Sequence, residues 1–157
     1  MATAQTFIVT GACGFIASHI IKELCKSYPN YTVIGVGRSE CPEDLISLKN
    51  FEFITLDLLE GNLHRRLPNN VETILHFAGD RRSFVAGADR TKQFRSNVLI
   101  TAELADFAIL AKASRFLFAS SVYVYSGCND VPFQENMAIF PAENLGMSKL
   151  CAESVLN

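Results

Sequence analysis

The chain has little of what marks metal, disulfide, membrane or nucleic-acid chemistry. Its five cysteines, Cys13, Cys25, Cys41, Cys128 and Cys151, are odd in number and irregular in spacing, and no CxxC pair occurs. With only three histidines beside them, this pattern reads against a zinc site and against a disulfide framework. Reduced thiols of a cytoplasmic protein are the expectation. No apolar run reaches the roughly 18–20 residues of a membrane span. No basic stretch precedes the first apolar run, so a signal peptide is not expected either. Charge of one sign is also lacking: 14 Lys and Arg stand against 16 Asp and Glu, a formal net charge of -2. Neither nucleic acid nor an anionic membrane is therefore an expected partner. Repeats, low-complexity tracts and linkers are absent as well.

What is present suits one globular domain over residues 1–157. The composition is 49% hydrophobic and 19% charged, which argues against disorder. A chain of this length buries roughly 68–70% of its unfolded surface, enough for a core. Thr6 to Thr10 is a short apolar run that stops at Gly11, and it reads as a buried strand. Phe15 to Tyr28 has apolar residues at helical spacing and ends at Pro29. Further strands are expected at Tyr31–Gly37, Phe51–Leu56, Thr73–Phe77 and Arg115–Ser120. Helices are expected from about Asp89 to Lys112 and from about Ala142 onward. Strands that alternate with helices indicate a parallel sheet, and their near-continuous apolar character indicates burial on both faces. The expected fold class is α/β, a doubly wound parallel sheet, and with the glycine turn described next it is expected to be Rossmann-like with strand order 3-2-1-4-5.

Between the first strand and the first helix lies Thr10-Gly11-Ala12-Cys13-Gly14-Phe15-Ile16-Ala17. Two glycines three apart at such a junction allow a tight turn and close approach of backbone to a phosphate. The helix N-terminus then offers free N–H groups and the positive end of its dipole. An ordinary β–α turn is the plainer reading of a GxxG, and its place in a β-α-β pattern favours a dinucleotide site.

The chain resembles the extended short-chain dehydrogenase/reductase family, the NAD(P)-dependent sugar-nucleotide epimerases and dehydratases. The family's TGxxGFIGSH appears here as TGACGFIASH, with Ala17 for the third glycine. Leu56-Asp57-Leu58 resembles the acidic segment after strand three, and His76-Phe77-Ala78-Gly79 the H-x-A-[AG] segment after strand four. Asn97-Val98 resembles the family's N-V-x-G-T helix start, with Ile100 in place of glycine. Ser120 to Tyr125 resembles S-S-x-x-V-Y, Pro132, Glu135 and Pro141 fall where P-x-x-E…P lies, and Gly146 to Lys149 resembles the end of Y-G-x-S-K. The resemblance implies cofactor contacts from Gly11, Cys13, Gly14, Phe15, Ile16, Asp57, Leu58, Phe77, Ala78, Gly79, Asn97 and Lys149. Asp57 also reads as a solvated strand end, Asn97 as a helix cap, and His76 as a donor of backbone rather than of imidazole chemistry.

The cofactor's identity is read at the end of strand two. NAD sites usually place a carboxylate there for the ribose 2′-hydroxyl. Here the segment is Val36-Gly37-Arg38-Ser39, and Arg38 suits a 2′-phosphate or the adenine face. NADP(H) is favoured. NAD(H) is the alternative, with Glu40 in the acidic role.

The resemblance implies a catalytic Ser, Tyr and Lys. Ser121 and Lys149 match. The tyrosine position, four residues before Lys149, holds Leu145. Loss of a general acid–base group costs roughly 10²–10⁴-fold in rate. Relatives also continue into further strands and a C-terminal substrate domain, so the chain reads as truncated before that domain. An NAD(P)-binding, catalytically impaired member is the leading expectation. The rivals are an epimerase/dehydratase active on nucleotide sugars as an oligomer or as part of a longer chain, and a decayed or scaffold protein that binds nothing. The fifth strand should be a sheet edge, which favours self-association as a homodimer or by aggregation. The alternative is cover from the loop Ser126 to Pro141.

Overall fold

The computed structural model describes residues 5–82, 89–129 and 131–157. The chain divides into two compact units, one of Met1–Ala78 with Glu103–Ala119, the other of Gly79–Ala102 with Ser120–Asn157.

The first unit holds the sheet. Its strands are β1 (Thr6–Thr10), β2 (Thr32–Gly37), β3 (Phe51–Thr55), β4 (Thr73–His76) and β5 (Arg115–Phe118). All neighbours pair in parallel, in the order β3-β2-β1-β4-β5. That is the expected 3-2-1-4-5 topology. The register sets Val9 between Gly35 and Leu75, and Thr10 between Val36 and His76.

Side chains alternate across a strand, and here both faces are covered. Phe7, Val9, Val33 and Leu75 pack with Ala17, Ile21 and Cys25 of helix α1 (Phe15–Ser27). Ile8, Ile34 and Ile74 are buried too, at 4% exposure or less, on the opposite face. Burial on both faces holds for β1, β2 and β4 but not for the rims. β3 mixes half-buried and exposed residues, β5 alternates them, and Leu117 is 50% exposed. Among the described residues each has a neighbour on one side only, which for β5 is the expected edge.

Several local expectations shift. The strands after the first start or stop one or two residues short of their expected bounds. Two short helices, α2 (Glu43–Ile46) and α3 (Leu63–Arg66), lack the length that periodicity needs to show. The long helix expected from Asp89 to Lys112 is α4 (Arg90–Phe94), a π turn over Arg95–Leu99 and α5 (Ile100–Leu110). Asp89 is its N-cap and accepts the Lys92 N–H at 3.0 Å. In the second unit, α6 (Asn144–Leu156) packs against the π turn and against a 3₁₀ turn over Val122–Tyr125. The stretch from Ser126 to Pro141 belongs to this unit, and residue 130 within it lies outside the described residues. Among the described residues no helix is long and apolar enough to cross a membrane, and none group as a metal site.

Candidate functional site

In the first unit, the turn after β1 is held against the exit of β4. Gly11 sits at φ 68°, and a Cβ there would come within 2.8 Å of the Ala78 nitrogen and 3.0 Å of its Cα. Both obstacles are backbone. Glycine is therefore required twice over, for its conformation and for the close approach. Thr10 locks the same junction. Its Oγ1 accepts the Ala78 N–H at 3.1 Å and pairs with Nδ1 of His76 at 2.7 Å. His76 is fully buried, with its ring beside Phe116 and Phe118. Its imidazole is thus structural.

The rest of the turn opens outward. Ala12 N–H donates to the Val36 carbonyl at 3.1 Å and Gly14 N–H to the Gly11 carbonyl at 2.8 Å. Gly14 is the N-cap of α1 and supplies no side chain, and the first helical bond runs from Ser18 N–H to the Gly14 carbonyl. The leading N–H groups of α1 therefore need an acceptor from outside the helix. Phe15 and Ile16 beside them are 81% and 60% exposed. Thirteen residues of helix stand behind this N-terminus, and an anion is the ligand its dipole favours.

Arg38 is exposed beyond β2, with Nη1 3.7 Å from Oδ2 of Asp57. Asp57 is more than a solvated strand end. Its Oδ1 accepts the Leu59 N–H at 3.0 Å and so caps the 3₁₀ turn Leu58–Glu60. Leu58 is buried, and Phe77 packs against the sheet core.

The second unit carries a polar cluster around Asn97. The Asn97 side chain sits inside the π turn, not at a helix start, and it caps nothing. Its Oδ1 accepts the Asp80 N–H at 2.7 Å. Its Nδ2 donates to the Asp80 carbonyl at 3.0 Å and to Ser148 Oγ at 2.9 Å. Ser148 in turn donates to the Leu145 carbonyl at 2.9 Å. π turns often re-aim side chains at functional sites, and this one spends the whole amide of Asn97 on binding the Gly79–Asp80 segment to α6. A Cβ on Gly79 would lie 2.9 Å from Asn97 Oδ1 and 3.5 Å from Lys149 Nζ. Gly79, Asn97 and Lys149 are thereby brought together.

Lys149 is buried, and burial pulls its pKa down to about 8. Glu153, one helical turn on, pushes the other way. Glu153 also accepts a hydrogen bond from Ser120 Oγ, next to Ser121. Ser121 Oγ accepts the Tyr123 N–H at 3.3 Å, and the Tyr123 carbonyl faces Gly146. Leu145 is buried and offers only hydrocarbon. Nothing local in the sequence marks Asp80, Ser148 and Glu153 as part of this cluster. Their roles depend on contacts between distant segments, and a lone polar residue carries no local signal of those.

Comparison with known proteins follows the same lines. Residues 7–157 match the family described as NAD dependent epimerase/dehydratase. The chain is 32% identical over 161 residues to dTDP-D-glucose 4,6-dehydratase of Homo sapiens, covering 96% of this chain and 45% of that protein. It superposes with a TM-score of 0.83 and 32% identity on MoeE5 in complex with UDP-glucose and NAD, covering 96% and 48%. A UDP-glucuronic acid 4-epimerase from Bacillus cereus, in complex with UDP-glucuronic acid and NAD, gives a TM-score of 0.84 at 26% identity, covering 96% and 51%. The chain thus spans about half the length of the relatives it matches.

Proposed function

Because the chain belongs to the NAD-dependent epimerase/dehydratase family, we propose that its first unit binds the pyrophosphate and adenosine of a nicotinamide dinucleotide. The observation that carries this is the turn at Gly11. It has no room for a Cβ against Ala78, and it leads into an uncapped, solvent-facing helix N-terminus. Gly11, Cys13, Gly14, Phe15 and Ile16 would receive the pyrophosphate, and Arg38, Asp57 and Leu58 the adenosine. Phe77 and Ala78 form the wall that the turn rests on. When bound, the cofactor supplies hydride transfer. In the second unit, the resemblance assigns cofactor contacts to Gly79, Asn97 and Lys149, and reaction chemistry to Ser121 and Lys149.

Arg38 sets the cofactor preference toward NADP(H). Its pair with Asp57 is long and exposed, and such pairs contribute about 0–1 kcal/mol. A 2′-phosphate offers the guanidinium a stronger, charge-assisted partner. Calorimetric titration should give tighter binding of NADPH than of NADH by roughly tenfold. Arg38→Asp should invert the order. Equal affinities before and after the substitution would overturn the assignment.

The substrate class is a nucleotide sugar, and we infer that turnover by this chain is impaired. Ser121 can hold a reacting oxygen, and Lys149 can hold a proton below pH about 8. Leu145 can move none. Hydride-transfer assays with UDP-glucose and dTDP-glucose should fall roughly 10²–10⁴-fold or more below an intact acid–base site. Robust turnover by these 157 residues would show that another group does the proton transfer. A homodimer is part of this reading, supported by the half-exposed β5 rim, and so is a cytoplasmic location, supported by the odd number and irregular spacing of the cysteines.

A further inference from the structure

We propose that Cys13 and Cys41 form a redox-active thiol pair, a covalent site at which the loop after β2 is tied onto the glycine turn. The two are distant in sequence. Cys13 lies in the turn between β1 and α1, and Cys41 in the irregular segment between β2 and α2. Parallel pairing of Thr10 with Val36 brings the exits of β1 and β2 side by side. Cys13 Sγ then lies 3.5 Å from the Glu40 carbonyl oxygen and 3.9 Å from that of Ser39.

Glu40 is bonded to Cys41. Covalent geometry therefore puts the Cys41 Cα no more than about 6 Å from the Cys13 sulfur, and the two Cα atoms no more than about 9 Å apart. The thiols also sense each other, since charge on Cys13 pushes the Cys41 pKa up. A disulfide needs its Cα atoms within about 7 Å. Closure thus asks for a small inward shift of a segment with no regular hydrogen bonding of its own, and Arg38 is carried by that segment. Both thiols are half-buried, within reach of small reagents, whereas Cys25 is buried in the core.

The reaction balances with a small-molecule disulfide as oxidant. The Cys13 thiolate attacks one sulfur, forms a mixed disulfide and expels one small thiolate. The Cys41 thiolate then attacks the Cys13 sulfur and releases the second. The protein gives up two electrons and two protons, and the reagent leaves as two thiols. Burial raises both thiol pKa values, and Asp44, itself paired with Lys22 of α1, raises Cys41 further. The thiolate is the reacting form, so closure quickens as pH rises.

Gating of the dinucleotide site is the functional consequence, and that part rests on the reading above. The closed form cross-links the loop of Arg38 to the turn that receives pyrophosphate, and it should bind NADPH at least about tenfold more weakly than the reduced form. The test oxidises the whole chain with glutathione disulfide and maps tryptic peptides without reduction. Cleavage after Lys22, Lys26 and Arg38 separates Cys13, Cys25 and Cys41 onto different peptides, so the link is assigned without ambiguity. A Cys13–Cys41 cross-link is expected in the native chain and in Cys128→Ser, and none in Cys13→Ser. NADPH titration before oxidation, after it and after dithiothreitol should show affinity lost and regained. Stable glutathione adducts with no 13–41 link would overturn the thiol pair. A link that leaves NADPH affinity unchanged would overturn the gating. A link in a protein whose reduced form binds no dinucleotide would keep the thiol pair and remove the dinucleotide reading instead.

Discussion

Gly11→Ala should be the most damaging small substitution in the glycine turn. An L-residue in the left-handed region costs about 1–2 kcal/mol by itself. Gly11 has φ 68°, and the added methyl would stand 2.8 Å from the Ala78 nitrogen and 3.0 Å from the Phe77 carbonyl carbon. Backbone cannot swing aside as a side-chain tip can, so either the turn lifts or the exit of β4 moves. Moving β4 also strains the Thr10–His76–Ala78 hydrogen bonds at 2.7 and 3.1 Å. The combined loss should be roughly 2–4 kcal/mol, with dinucleotide binding reduced below detection. Gly14→Ala is the comparator. Its φ of -76° suits any residue, and its methyl would meet only the Gly11 carbonyl oxygen, at 3.0 Å. Urea unfolding of both variants decides the matter. A Gly11→Ala midpoint no lower than that of Gly14→Ala would mean that the turn does not depend on this approach.

Gly146→Ala should destabilise the second unit, against the rule that alanine improves a helix by about 1 kcal/mol over glycine. Gly146 lies in the first turn of α6, where a methyl would overlap the Tyr123 carbonyl oxygen at 2.2 Å and the Pro141 Cβ at 2.9 Å. A gap of that size cannot be absorbed by a few tenths of an ångström. The 3₁₀ turn carrying Ser121 and Tyr123 must move off α6, and overpacking of this kind costs roughly 1–3 kcal/mol. Thermal unfolding should show a lower midpoint, and protease nicking should rise between Ser121 and Pro141. An unchanged or raised midpoint would refute the contact. The effect would matter for function because Lys149 stands one turn along the same helix, so a shifted α6 also changes what surrounds that amine.

The five strands and the longer helices were legible in the chain, while α2, α3 and the π turn were not. Thr6 to Thr10 and Thr73 to Phe77 are short apolar runs, Phe15 to Tyr28 repeats at helical spacing, and glycines at 11 and 14 punctuate the junction. These signals sit within windows of a few residues, where local sterics and burial act. That Leu145 stands where the resemblance implies a tyrosine is equally local, since it needs only a position relative to Lys149.

Tertiary structure alone decided the rest. Asn97 sits at what reads as a helix start or a cap. The fold places it in a π turn and commits its amide to Asp80 and Ser148. Asp57 reads as a strand end and is both a cap and the partner of Arg38. Lys149 is named by its motif, but only burial in the folded chain brings its pKa to about 8. Cys13 and Cys41 look unrelated until β1 and β2 pair and their exits meet. The physical reason is common to all four. Hydrophobic periodicity is a property of neighbours along the chain, whereas desolvation, hydrogen-bond partners and thiol proximity are set by strand register and helix packing between segments far apart in sequence.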